Sequence, residues 1–185
     1  MQEPPGPDAF SPRRGKLSTL MDVGSSAAGR GTPVQPSIGR PAMAVVSRTF
    51  SVEPAPDVVV AYLADFGHAE EWDPGTVRCV RVDAGPVQVG SQWHNTSKIA
   101  GISTELRYTL EQLSPTRVVH VGRNDTATST ETVDVAPDGT GSSVTYTNEV
   151  VFNGMAKAAS PLAKLIFEKL AGDTVEQLTG ALNKL

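Results

Sequence analysis

The last twenty-six residues, Ser160 to Leu185, limit the fold more than any other stretch. Ala163, Phe167, Leu170, Thr174, Leu178, Ala181 and Leu185 follow one another at steps of four and three, which places them on one side of an α-helix. Glu168, Lys169, Glu176 and Asn183 fall on the other side. Ser160 is a suitable cap for the first amides, and Pro161 suits the first helical turn because its φ is already fixed. Such a helix is roughly 38 Å long at 1.5 Å per residue. Its apolar face needs a cover from upstream, and Met43 to Asn153 reads as strand-rich material able to supply one.

The hydrophobic fraction, 39%, is below the usual globular share, and the deficit is local. Residues 1–42 hold seven of the 14 prolines, many Gly and Ser, and no apolar period. A segment of that kind buries too little surface to offset its ordering entropy, so the expectation is a disordered tail over 1–42 and one domain over 43–185. The patterning starts so abruptly at Met43 that Met43 itself is a candidate start, which mass spectrometry of the native N-terminus would test.

Other function classes drop out on composition. A net charge of −4 lacks the basic footprint that nucleic acid requires. Cys79 is the single cysteine, so neither a disulfide framework nor a thiolate metal cluster is expected. His68, His94 and His120 fall on separate elements without ligand spacing, which argues against zinc, and no cofactor is expected. Nucleophile elbow, phosphate loop and dinucleotide fingerprint are all missing from the sequence. No apolar run approaches the roughly 18 residues of a membrane span. Arg13-Arg14 has no apolar stretch behind it to make a signal peptide, so a cytoplasmic protein is expected.

Taken in order, Val45–Val52 reads as a strand ended by Glu53-Pro54. Pro56-Asp57 opens a short helix through Val59, Val60 and Leu63, and His68 to Trp72 gives another turn, stopped by Asp73-Pro74-Gly75. Six strands follow: Thr76–Val82, Ser91–Ile99, Ile102–Leu113, Val118–Gly122, Thr128–Val135 and Ser143–Phe152. In the third of these Leu106, Tyr108 and Leu110 alternate with Glu105, Arg107, Thr109 and Glu111, the mark of an antiparallel strand with one wet face. Gly154 then releases the chain into the long helix. The order defines an α+β fold: a curved seven-stranded antiparallel sheet around a long C-terminal helix, with two short helices after strand one.

This order, together with its local motifs, resembles the START-like, helix-grip (SRPBCC) superfamily and within it the polyketide cyclase/dehydrase-like branch. The resemblance is carried by Tyr62-Leu63-Ala64-Asp65-Phe66 leading to Glu71-Trp72-Asp73-Pro74-Gly75, by Val89-Gly90-Ser91, and by Gly141 to Tyr146. Pro161-Leu162 and Lys169-Leu170-Ala171-Gly172-Asp173 resemble the closing helix. The resemblance implies a deep apolar cavity between sheet and helix that takes lipids, polyketides, sterols or similar molecules. It implies no reaction and no universal catalytic residue.

Alternation then nominates the cavity residues. Tyr108, Tyr146 and Asn148 are expected to line it, with Phe167, Leu170 and Thr174 on the helix side and Trp93 pointing inward. Asn148 shares a face with Val144, Tyr146, Val150 and Phe152, so its amide needs a partner from protein, water or ligand. Glu131 shares the inward face of Val133 and Val135. His120 competes with Val119 and Val121 for that direction, and the family's usual apolar or aromatic residue there favours inward. A four-residue connection after Gly122 would set His120 and Glu131 opposite each other, with Cβ atoms roughly 5 Å apart. Either one or both face solvent or satisfy each other structurally, or the pair is a ligand anchor, or it is a general base with its orienter. Trp72 is expected to plug the junction of the second short helix with the sheet, or else to guard a portal. His68 and His94 are expected to face solvent.

Three functions remain open. The first is binding of a hydrophobic small molecule. The alternatives are a polyketide cyclase/dehydratase-type enzyme using His120–Glu131, and an interaction module whose cavity is closed.

Overall fold

The computed structural model describes residues 43–152 and 161–185, without the side chains of 161–165. The expected tail over 1–42, the release at Gly154 and the cap at Ser160 lie outside the described residues. Strand β1 (Met43–Val52) leads to helix α1 (Pro56–Ala64), a 3-10 turn (Phe66–His68) and helix α2 (Ala69–Trp72). Strands β2 (Thr76–Arg81), β3 (Gln92–Ile99), β4 (Ile102–Ser114), β5 (Arg117–Arg123), β6 (Ala127–Asp138) and β7 (Gly141–Phe152) precede helix α3 (Pro161–Leu182). The sheet is seven-stranded and antiparallel, in the order β1-β7-β6-β5-β4-β3-β2. It curves, and α3 packs on it through β1 and against α2.

Local chemistry accounts for the connections. Pro56 opens α1, and Asp65 caps the 3-10 turn by accepting from the Gly67 amide at 2.9 Å. The β6–β7 hairpin turns at Gly139, whose φ of 59° is easy for glycine. Gly141, just after it, lies so close to β1 that a Cβ there would meet the Val52 carbonyl oxygen at 2.1 Å.

The inner face of the sheet is divided along its length. At one end Val59, Leu63, Phe66, Trp72, Trp93, Leu110, Val118, Val133, Val135, Val144, Leu178 and Leu182 form one buried cluster under α1, the 3-10 turn and the last turns of α3. Trp72 is 3% exposed and meets Phe66 and Tyr146 edge-on, so it fills the junction as a plug does. The other end of the face is hollow.

The strand and helix order matches expectation, with three corrections in detail. The alternation expected through Leu113 ends at Leu110, because a bulge at Glu111 shifts the β4–β5 register. The helical face expected to reach Leu185 stops earlier: α3 ends at Leu182 and Leu185 is exposed. His68 is half-buried, because its ring stacks on Tyr62 at 4.2 Å and Nδ1 bonds the Tyr62 carbonyl at 2.8 Å. His94 does face outward, 3.3 Å from Glu105.

Candidate functional site

The hollow end is a cavity of about 390 Å³ between the sheet and α3. Its walls are mostly apolar: Val46, Ile99, Leu106, Val150 and Phe152 from the strands, with Ile166, Phe167, Leu170 and Ala171 from the helix. The polar part is concentrated on Asp73, Ser97, Tyr108, Ser129, Glu131, Tyr146, Asn148 and Thr174.

Glu131 is the centre of that part. It is buried, and every bond it makes among the described residues is received from a neutral donor. The Asn148 amide reaches Oε1 at 2.6 Å, with the Tyr108 and Ser129 hydroxyls at 3.4 Å, and the Tyr146 hydroxyl donates a short bond to Oε2. Asn148 also bonds the Ser129 hydroxyl at 3.0 Å, which answers the amide's need for partners. Period two aligns these groups: Glu131 lies opposite Asn148 on β7, and Ser129 is two residues before it on β6. Tyr108 reaches in from β4 because its partner on β5 is Gly122, where a Cβ would meet the ring at 2.6 Å.

Burial raises the Glu131 carboxyl to about 7, the nearby Asp73 charge adds to the rise, and the hydrogen bonds from Tyr146, Asn148 and Tyr108 offset part of it. Burial and the Glu131 charge push both tyrosines well above their ordinary values, so each stays a protonated donor.

Asp73 is a second carboxyl on the same cavity. It follows α2, where the sequence suggested only a turn, and it does hold that turn, accepting from the Gly75 amide at 3.0 Å. It also ends a relay along β3 and β2: Ser97 donates to Asn95 at 2.6 Å, Asn95 to Thr76 at 2.8 Å, and Thr76 to Asp73 at 2.6 Å. Enclosure by protein raises its pKa, against the bonds from Thr76 and Gly75. Part of its surface stays open to the cavity.

Of the residues nominated from sequence, Tyr108, Glu131, Tyr146, Asn148, Phe167, Leu170 and Thr174 line the cavity, and Trp93 and His120 do not. Trp93 is fully buried, and its Nε1 donates to Asp65 at 2.9 Å. His120 sits between the rings of Phe66 and Trp93, at 4.8 and 5.4 Å. Its Nε2 donates to the carbonyl of Ala64, the last residue of α1, at 3.2 Å, so it carries the proton there. Burial lowers His120 to about 4, against the Ala64 bond and the Asp65 charge, and the ring is neutral at ordinary pH. His120 and Glu131 are indeed cross-strand partners. Their side chains bond in different directions, so the pair imagined from sequence is not an acid–base couple in this geometry.

Among the polar lining residues that escaped the sequence reading, Ser129 and Asp73 did so for different reasons. Ser129 shares the period-two face of Glu131 and was legible by the same rule. Asp73 lies outside any strand, and the turn chemistry that announced it gives no hint of a cavity.

Among the described residues no group of His, Cys, Asp and Glu is arranged to hold a metal ion, and no helix is long and apolar enough to cross a membrane. A curved antiparallel sheet closed over a cavity by a long C-terminal helix defines the helix-grip class of ligand-binding folds. Within that class the chain belongs to the family described as polyketide cyclase / dehydrase and lipid transport, whose model matches residues 43–185. No curated protein sequence matches it. Its fold is similar to a START superfamily protein from Mycobacterium smegmatis, at 14% identity and a TM-score of 0.61, covering 76% of this chain and 97% of that one. It is also similar to the Zhui aromatase/cyclase from Streptomyces sp. R1128, at 15% identity and a TM-score of 0.59, covering 77% and 93%. Ginseng major latex-like protein 151 from Panax ginseng is similar at 11% identity and a TM-score of 0.58, covering 76% and 97%. At these identities the likeness speaks to the fold alone.

Proposed function

We propose that this protein binds a hydrophobic small molecule, such as a lipid or polyketide, in the cavity between sheet and α3. The observation that carries the reading is a cavity of about 390 Å³ whose apolar walls surround one concentrated polar cluster. Removing apolar ligand surface from water would drive binding at about 25 cal/mol per Å² before the costs of association. The cluster around Glu131 would orient the ligand. An open volume of this size counts against an interaction module whose interior is filled by side chains.

The test is native mass spectrometry of protein purified from its own host, followed by solvent extraction. A stoichiometric apolar compound is expected. Protein that emerges empty and also fails to take up an apolar dye would overturn the reading.

One observation favours a second reading, proton transfer on a carbonyl ligand as in a cyclase. Glu131, raised to about 7 beside Asp73, is poised to exchange a proton near neutral pH. This assigns the acid–base role to Glu131 without His120. Glu131→Gln would then keep ligand affinity and lose solvent exchange of the ligand's α-protons; loss of both together would return the residue to binding alone.

A further inference from the structure

The cavity's polar groups are unbalanced in a way that speaks to its ligand. Glu131 and Asp73 are both end-points, receiving hydrogen bonds and passing none on. A carboxylate offers about four lone-pair sites. Among the described residues Glu131 Oε2 receives only Tyr146 and each Asp73 oxygen a single donor, so acceptor capacity is left over on both. Neither carboxyl forms an ion pair among the described residues, and no described lining residue is Lys, Arg or His. Buried carboxylates ordinarily have a cationic partner or give up their charge. Burial raises the pKa of each, and no described cation offsets it.

A third group points the same way. Thr174 is 4% exposed, lines the cavity, and its hydroxyl has no hydrogen-bond partner among the described residues. An unused polar oxygen on the wall of the same cavity is ready for a ligand donor.

We infer that the ligand is a hydrophobic amine, its apolar body against the helix side and its ammonium group seated on Glu131 and Asp73. The inference rests on the cavity-binding reading and adds its charge. A protonated amine brings both the missing positive charge and the donors that two carboxylates and Thr174 can accept. A carboxylate or phosphate head would instead enter a pocket holding two like charges and no cation.

The test is calorimetric titration of the full-length protein with three probes of one shape: naphthylethylamine, naphthylethanol and naphthylacetate. At about pH 8 the amine should bind at least about tenfold tighter than the alcohol, with the carboxylate weakest. The amine's affinity should fall as pH drops from about 8 to about 6, because protonating Glu131 removes its charge, while the alcohol's stays level. The groups facing Glu131 are Asp73, Tyr108 and Tyr146, and His120 opposite it on β5 is neutral across this range. Glu131→Gln and Asp73→Asn should each remove the amine's advantage and leave the alcohol bound. Where either variant does not fold, the wild-type pH series decides. Equal binding of amine and alcohol, or tightest binding of the carboxylate, overturns this inference and leaves the cavity reading standing. Failure of all three probes to bind overturns both.

Discussion

His120 and Glu131 stand directly opposite each other on β5 and β6, yet their side chains belong to different parts of the protein. His120 turns into the aromatic cluster and fastens the end of α1, while Glu131 turns into the cavity. The register places the backbones, and what packs above each position decides the chemistry.

His120 should therefore matter for stability and not for ligand. His120→Ala deletes a buried ring and leaves the Ala64 carbonyl without its donor, and should cost about 2–4 kcal/mol of unfolding free energy. Ligand affinity of the folded variant should be unchanged. Urea titration beside calorimetry checks this, and a stable variant that has lost binding would move His120 back into the site.

The two residues also pull the pH dependence of stability in opposite directions. His120 falls from 6.5 in the unfolded chain to about 4, so the unfolded state binds more protons between those values and stability is lost as pH falls through the window. Glu131 rises from 4.5 to about 7, so the folded state binds more protons and stability is lost as pH rises through that window. At 1.36 kcal/mol per unit each effect is on the order of 3 kcal/mol. Glu131→Gln should gain stability relative to wild type as pH increases from about 4.5 to about 7. A constant difference across that range would mean that Glu131 is not buried as described.

Tyr146→Phe removes the short bond that helps hold Glu131 charged. The carboxyl should then titrate above its wild-type value, which isotope-edited NMR of the side-chain carboxyl would read. A downward shift would contradict the role given to Tyr146.

Gly122→Ala sets a methyl group against the Tyr108 ring at 2.6 Å, inside any normal contact. Overpacking of this kind costs about 1–3 kcal/mol, and the displaced ring carries its hydroxyl away from Glu131. The variant should lose stability and ligand affinity together. A protein as stable as wild type would show that the ring moves without strain.

Leu170→Trp should fill the cavity from the α3 side. Its wild-type side chain lines the void, so the larger ring has room and the melting temperature should hold or rise. Ligand affinity should fall at least about tenfold. Undiminished affinity would place the ligand elsewhere.

Most of the architecture was legible in the sequence. Period-two alternation in β4 and β7, the steps of four and three in α3, and the turn residues at Asp73-Pro74-Gly75 each encode a local rule that the backbone must obey. Those same rules showed that Tyr108, Glu131, Tyr146 and Asn148 face inward, because a strand side chain has only two directions. What alternation does not contain is position along the face. Trp93, Ser97 and Ile99 share one side of β3, yet the first is packed beneath the 3-10 turn and the other two line the cavity. Where core gives way to cavity is set by where α1 and the 3-10 turn stop covering the sheet and how α3 lies across the remainder. That boundary depends on packing between segments far apart in the chain. Tertiary structure alone separated Trp93 and His120 from the site and brought Asp73 into it.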